Sequence, residues 1–212
     1  MKSILGSLVL LVGLTANAGL LTLSGGSKKI ENVILNQTAV VTGSDVKMTL
    51  AGAGLRSKTV LFVPTKVYVA ELFTNDRAKY SRDVNSALKS LENVSVTAVR
   101  LTFLRSVDAP TVASSYREAL VANNVNLKDP SIVQFLADVE KGGDASSGKS
   151  FVMLMILTKE GGTKLYYEDT KDQVSVVDGP RALQQNILSI WLGESADSGL
   201  KKLKESLVQS VY

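Results

Sequence analysis

Apolar residues first cluster at the very start of the chain, where "ILGSLVLLVGLTA" follows a single positive charge at Lys2 and gives way to Ala16, Asn17 and Ala18. That run is too short to cross a bilayer, and small residues at the positions of Ala16 and Ala18 are those a signal peptidase reads. Residues 1–18 are therefore expected to be a removable leader cut after Ala18, which makes the protein periplasmic or secreted. "LTLSGGSKK" (21–29) reads as a flexible lead-in. "ENVILNQTAVV" and "VKMTLAG" are rich in β-branched residues and alternate well enough for two strands around the turn "TGSD". "GAGLRSKTVLFVPTKVYVAELF" (52–73) continues the β pattern as one long strand or two, with Pro64 at a bulge or an edge.

The period then changes. "RDVNSALKSLEN" places Val84, Leu88 and Leu91 on one helical face, with Asp83 or Ser81 as cap. "VSVTAVRLTFLR" (94–105) returns to β character. Two helices follow, one capped by Asp108 with Pro110 in its first turn, the other opening at Asp129–Pro130 and closing on glycine. "KSFVMLMILTKEGGTKLYYED" reads as a hairpin turning at Gly161–Gly162. Its first strand is apolar on both faces, as a central strand covered on each side would be. "QVSVV" adds a short strand, and two helices complete the chain, the first stopped at Gly193. Strands, helices, a hairpin and more helices do not repeat as βαβ. The expectation is an α+β domain, an antiparallel sheet with helices gathered on one face. Residues 19–44 would form the lead-in and first strand, and residues 45–212 the main domain.

Composition narrows the chemistry. The formal net charge of +4 is mild and spread along the chain, which does not point to nucleic acid. With no cysteine and no histidine, disulfides, thiol catalysis, an imidazole base and His-ligated metal are excluded. No cofactor is implied. After leader removal no long apolar segment remains, so no integral membrane segment is expected and the mature chain should be soluble.

Two glycine-rich motifs have the look of phosphate or dinucleotide loops. "GGDASSGKS" has P-loop spacing, but it lies between a helix and a strand, the reverse of the order that would present amides to phosphate. It reads as a polar connection. "GAGLR" lacks the third glycine of a dinucleotide fingerprint and leads into β structure. Its glycines fit a positive φ or a close backbone approach at a turn. The carboxylates offer no dyad, and Trp191 reads as a core anchor.

Gly52-Ala53-Gly54-Leu55-Arg56-Ser57-Lys58 with Lys66-Val67-Tyr68-Val69-Ala70, followed by "SIWLG" and "LKKLKESL", resembles the chalcone isomerase-like family over residues 45–207, in particular its bacterial secreted members. The resemblance implies an open-faced β-sandwich, a large antiparallel sheet backed by helices. In the plant enzymes of the family, the motif arginine steadies a chalcone during ring closure, while a threonine and a tyrosine hold a water. An asparagine and a terminal hydroxyl position the phenol. Arg56 matches the arginine. The other positions fall at or near Val63, Val112, Ala119 and Ile190, so the polar relay is mostly missing. Non-catalytic relatives pair the same arginine with a tyrosine at a fatty-acid carboxylate.

Two readings of Arg56 stand side by side: a partner for a ligand carboxylate, or a partner for a protein acid such as Glu71. The leading expectation is a non-catalytic exported protein that binds a small amphipathic anion, fatty-acid-like, through Arg56, Tyr68, Tyr116 and Ser189. The alternatives are an isomerase on a conjugated ketone, with Tyr68, Tyr116 or Ser189 replacing the lost hydroxyls, and an envelope interaction module with a vestigial cleft.

Overall fold

The structure is a computed structural model and describes residues 19–60 and 62–209; the expected leader, residues 1–18, lies outside them. In chain order the strands are β1 (Leu21–Ser24), β2 (Lys29–Ile30), β3 (Val33–Ile34), β4 (Thr38–Val41), β5 (Lys47–Val60), β6 (Val63–Thr74), β7 (Val96–Phe103), β8 (Ser150–Leu157), β9 (Gly162–Glu168) and β10 (Val174–Pro180). The helices are α1 (Ala87–Ser90), α2 (Ala109–Ala122), α3 (Pro130–Lys141), α4 (Ala182–Leu192) and α5 (Ser198–Gln209). One large antiparallel sheet runs β1-β4-β5-β6-β7-β8-β9-β10, and β2 and β3 form a separate small ribbon. This is the α+β, open-faced arrangement that the hydrophobic pattern and the resemblance imply.

Side-chain alternation along the strands gives the sheet two apolar faces. One face, with Tyr68, Leu72, Leu101, Phe103, Phe151 and Met153, packs against the helices. The other buries a second cluster that includes Leu35, Met48, Phe73, Leu154 and Tyr166. A double-sided strand is needed in the middle, and β8 supplies it: Phe151 to Met155 are all buried between β7 and β9.

The lead-in is not a loose segment. Leu21–Ser24 pairs in register with Thr38–Val41 and forms the outer strand of the sheet. The β run from residue 52 to 73 is the second half of β5 and nearly all of β6, a hairpin with register shifts at Leu50/Gly52 and Arg56/Ser57. Pro64 pairs with Thr59 near the hairpin tip, where Phe62 is exposed. The helix expected around residues 82–93 shrinks to the single turn α1. Asp83 Oδ1 accepts from the Asn85 and Ser86 amides and the Ser86 hydroxyl, and this local turn competes with helix. Leu91 is still buried against the core. Asp108 and Asp129 cap α2 and α3 through the amides of Thr111 and Ser131.

The glycines of "GAGLR" serve close approach rather than a turn. Gly52 and Gly54 lie within β5 beneath α5. A Cβ on Gly52 would collide with the Leu207 carbonyl oxygen, and one on Gly54 would meet Ser206 Cβ at 2.7 Å and Leu203 Cδ1 at 2.9 Å. The last helix therefore lies directly on the strand that carries Arg56. "GGDASSGKS" is the loop from α3 into β8, with no helix behind its lysine.

Candidate functional site

Where β5 and β6 pass under α2 and the α4–α5 corner, a cavity of about 280 Å³ opens. Val67, Phe103, Val107, Val112, Ile190 and Leu200 supply its apolar wall. Arg56, Tyr68, Tyr116 and Asp197 are polar residues of the same lining. Charged residues around it are Arg56, Lys58 and Arg105 against Asp108, Glu118 and Asp197, three of each sign, so the lining is formally neutral.

Arg56 faces Tyr68 across the β5–β6 pair, immediately before a register shift. Its guanidinium forks onto Asp197, with Nη1–Oδ1 at 2.9 Å and Nη2–Oδ2 at 2.5 Å, and Nη1 also donates to the Ser57 carbonyl at 2.5 Å. Arg56 is 5% exposed, and such a cation needs a partner of this kind. Asp197 has a second task, accepting from the Gly199 and Leu200 amides at the start of α5. Burial pushes its pKa up, but the Arg56 hydrogen bond and charge and the Leu200 and Gly199 amides outweigh that and hold it below the ordinary carboxylate value. Gly199 makes the arrangement possible. A Cβ there would overlap the Ser57 carbonyl oxygen and Arg56 Nη1. Helix, acid and strand cation thus close as one unit.

Tyr68 accepts a hydrogen bond from Trp191 Nε1 at 3.1 Å. Burial raises its pKa, against the opposing pull of Arg56 and Trp191. Tyr116 stacks on Phe135 and meets Trp191 edge-on. Its hydroxyl is buried and has no hydrogen-bond partner among the described residues. Burial, then the neighbouring Tyr68 and Tyr167, push its pKa well above the usual phenol value. Both phenols therefore keep their protons and act as hydrogen-bond donors, not bases. Tyr167 also has an unpartnered buried hydroxyl, but it does not line the cavity.

Of the residues singled out from the sequence, Arg56, Tyr68 and Tyr116 converge on the cavity. Ser189 does not line it: its hydroxyl donates to the Asn186 carbonyl one turn back, and the next residue, Ile190, faces the space instead. Glu71 is not the partner of Arg56. It points to the other face of the sheet, where Arg100 Nη1 reaches it at 2.7 Å. Among the positions carried over from the plant enzymes, Val112 and Ile190 line the cavity. Val63 is exposed on the hairpin and Ala119 is buried outside the lining. Sequence reasoning missed Asp197 and the polar end of Trp191. An aspartate two residues before Gly199, opening an amphipathic helix, is legible as a cap; its bond to a residue 141 positions away is not. Among the described residues no cluster of three or more acids is placed to hold a metal ion.

A family model described as chalcone isomerase-like matches residues 27–207. The chain belongs to the chalcone isomerase-like family. No curated protein matches it. The family match starts well before residue 45, so the ribbon β2–β3 and the strand β4 belong to the family region of this chalcone isomerase-like protein and are not an appendage to it. The cavity lies wholly within the matched residues.

Proposed function

We propose that this chalcone isomerase-like protein binds a small amphipathic anion, a short carboxylate with an apolar tail, and does not turn it over. The observation that carries the reading is the Tyr116 hydroxyl, a buried donor without a protein partner on a residue lining an apolar cavity. Leaving such a group unsatisfied costs roughly 1–3 kcal/mol, which a ligand oxygen would recover. Tyr68 and Arg56 stand at the same site, the guanidinium engaged by Asp197, Ser57 and Tyr68. At about 280 Å³ the cavity sits near the lower end of the roughly 300–1,000 Å³ typical of small-molecule sites, which favours short chains over long ones.

The case against catalysis is that neither the phenols nor Asp197 offers a free base; the other lining acids are Asp108, engaged as the α2 cap, and Glu118. The two phenols hold their protons, Asp197 is committed to Arg56 and the α5 amides, and the chain has no histidine. Positive charge for an anion comes from Lys58 and Arg105 on the rim, with Asp108 and Glu118 beside them balancing the lining overall. Tyr116→Phe tests the reading. Titration with sodium octanoate or decanoate should show about tenfold weaker binding, the scale of one hydrogen bond to a charged group, while the unliganded variant is as stable as wild type or more so. Unchanged affinity for both carboxylates would end the proposal.

A further inference from the structure

On the opposite side of the sheet from the cavity, the first described residue meets a buried carboxylate. Glu168 closes β9 and is 5% exposed. Its Oε2 accepts from the Leu20 amide at 3.0 Å. Burial is the largest influence on this carboxyl and raises its pKa; the Leu20 amide pulls it down, Asp172 and Asp169 push it up further, and Arg100 opposes them weakly. Arg100 itself is engaged by Glu71. Arg100 and Lys149 line the same hollow, but among the described residues no cation stands within ion-pair distance of Glu168.

Gly19 stands beside it. A substituent built at the Cβ position of Gly19 would lie 2.7 Å from Glu168 Oε1 and 3.4 Å from Oε2. For carbon the shorter distance is a clash. For an ammonium nitrogen it is the length of a charge-assisted hydrogen bond, about 2.7–2.9 Å. The rest of the segment is fixed. The Thr42 hydroxyl donates to the Gly19 carbonyl at 2.6 Å, the Thr42 amide donates to the Leu20 carbonyl at 3.0 Å, and the Leu20 side chain is buried. While residue 18 is attached, the Gly19 nitrogen belongs to a peptide bond and carries no charge. Hydrolysis of the Ala18–Gly19 bond adds one water across it, leaving a carboxylate on Ala18 and an amine on Gly19 that takes up a proton at neutral pH. Glycine has no side chain, so turning about its Cα–C bond by one staggered position carries that nitrogen to the place a Cβ would occupy.

We propose that Glu168 is the seat for an α-ammonium group, and that the group is the new N-terminus of Gly19 released by a signal peptidase. Leader removal then completes a buried ion pair between the first residue and the end of β9 and locks β1 onto the sheet. This goes beyond the ligand site, shares no residue with it, and rests on the expectation that residues 1–18 are removed at Ala18.

The test compares three full-fold chains: one beginning at Gly19 with a free amine, the same chain N-acetylated, and one beginning at Ala18. The free-amine chain should melt about 4–8 °C above the other two, on a scale of about 2–4 °C per kcal/mol for a chain of this length. In Glu168→Gln the three should melt within about 1 °C of one another, since the acetylated chain loses no ion pair. If Glu168→Gln does not fold, titration of the ¹⁵N-labelled α-amino group in the wild-type chain decides: its pKa should rise by about one unit or more from the ordinary 7.7–8.0. Equal melting of the three wild-type chains, or an ordinary α-amino pKa, overturns the pairing. N-terminal sequencing of exported protein that starts anywhere but Gly19 overturns the assignment of the cation to this residue.

Discussion

Two of the arginine–carboxylate pairs, Arg56–Asp197 and Arg100–Glu71, lie on opposite faces of the sheet, and they are built differently. Glu71 and Arg100 sit directly opposite each other on β6 and β7. Glu71 is fully buried and its oxygens are spoken for, Oε2 by Arg100 and Oε1 by the amide and side chain of Asn36. The pair fastens the segment before β4 onto the second core. Arg56 and Asp197 come from a strand and from the cap of α5, 141 residues apart. The Asp197 side chain is 34% exposed, and the pair borders the cavity. In the first pair the carboxylate is enclosed and both its oxygens are bonded, while Arg100 stays partly exposed. The second closes a helix against the sheet on one side and borders the cavity on the other. The burial is reversed between the two: the acid Glu71 is the enclosed partner in the first and the cation Arg56 in the second, and only the second is a two-bond fork.

The difference should appear first as stability. Glu71→Ala strands Arg100 and the Asn36 amide at once, and a buried pair broken from one side costs about 3–5 kcal/mol. Urea unfolding should show that loss, with the octanoate or decanoate affinity of the remaining folded protein unchanged. A loss below about 1 kcal/mol would mean the pair on the second face is no staple.

Arg56→Ala should cost less, about 1–3 kcal/mol, because Asp197 is partly solvated and keeps the Gly199 and Leu200 amides. Here the affinity for the carboxylate should fall as well. Arg56→Lys keeps the charge but cannot form the two-bond fork, so it should recover part of the affinity and little of the stability. Full stability loss with no change in affinity would make Arg56 a mere twin of Arg100.

That asymmetry explains how much could be read before the structure. The sheet, its central strand β8, the caps Asp108 and Asp129 and the helical stop at Gly193 all follow from local pattern, because period and capping are properties of neighbouring residues. Arg56, Tyr68 and Tyr116 were legible through the motif and the resemblance. The hidden parts all depend on long-range contact. Strand β1 looked like a linker because its partner β4 lies beyond a ribbon. Gly52 and Gly54 looked like turn residues because their reason, the backbone of α5, comes some 150 positions later. Glu71 looked like a partner for Arg56 because both lie in the same hairpin. The register places Tyr68 opposite Arg56 and Arg100 opposite Glu71, on different faces.

The smallest expected effect isolates the charge of Asp197 from its shape. Its carboxyl is raised by burial but lowered overall by the Arg56 hydrogen bond and charge and the two α5 amides. A group whose folded pKa lies below the unfolded value, about 3.9 for aspartate, binds fewer protons when folded. Its contribution is therefore complete above pH ~4 and is lost as pH falls through the depressed folded value. Asp197→Asn keeps one oxygen to accept from the α5 amides and removes the charge. At pH 7 it should be less stable than wild type by about 1 kcal/mol, the scale of a partly solvated ion pair. Toward pH 2–3 the two melting curves should converge, because wild-type Asp197 has then taken up its proton and resembles the amide. Melts of both proteins across pH 2–7 measure this directly. A gap that stays constant over that range would show that Asp197 acts only as a neutral cap, and that Arg56 draws its compensation from elsewhere in the cleft.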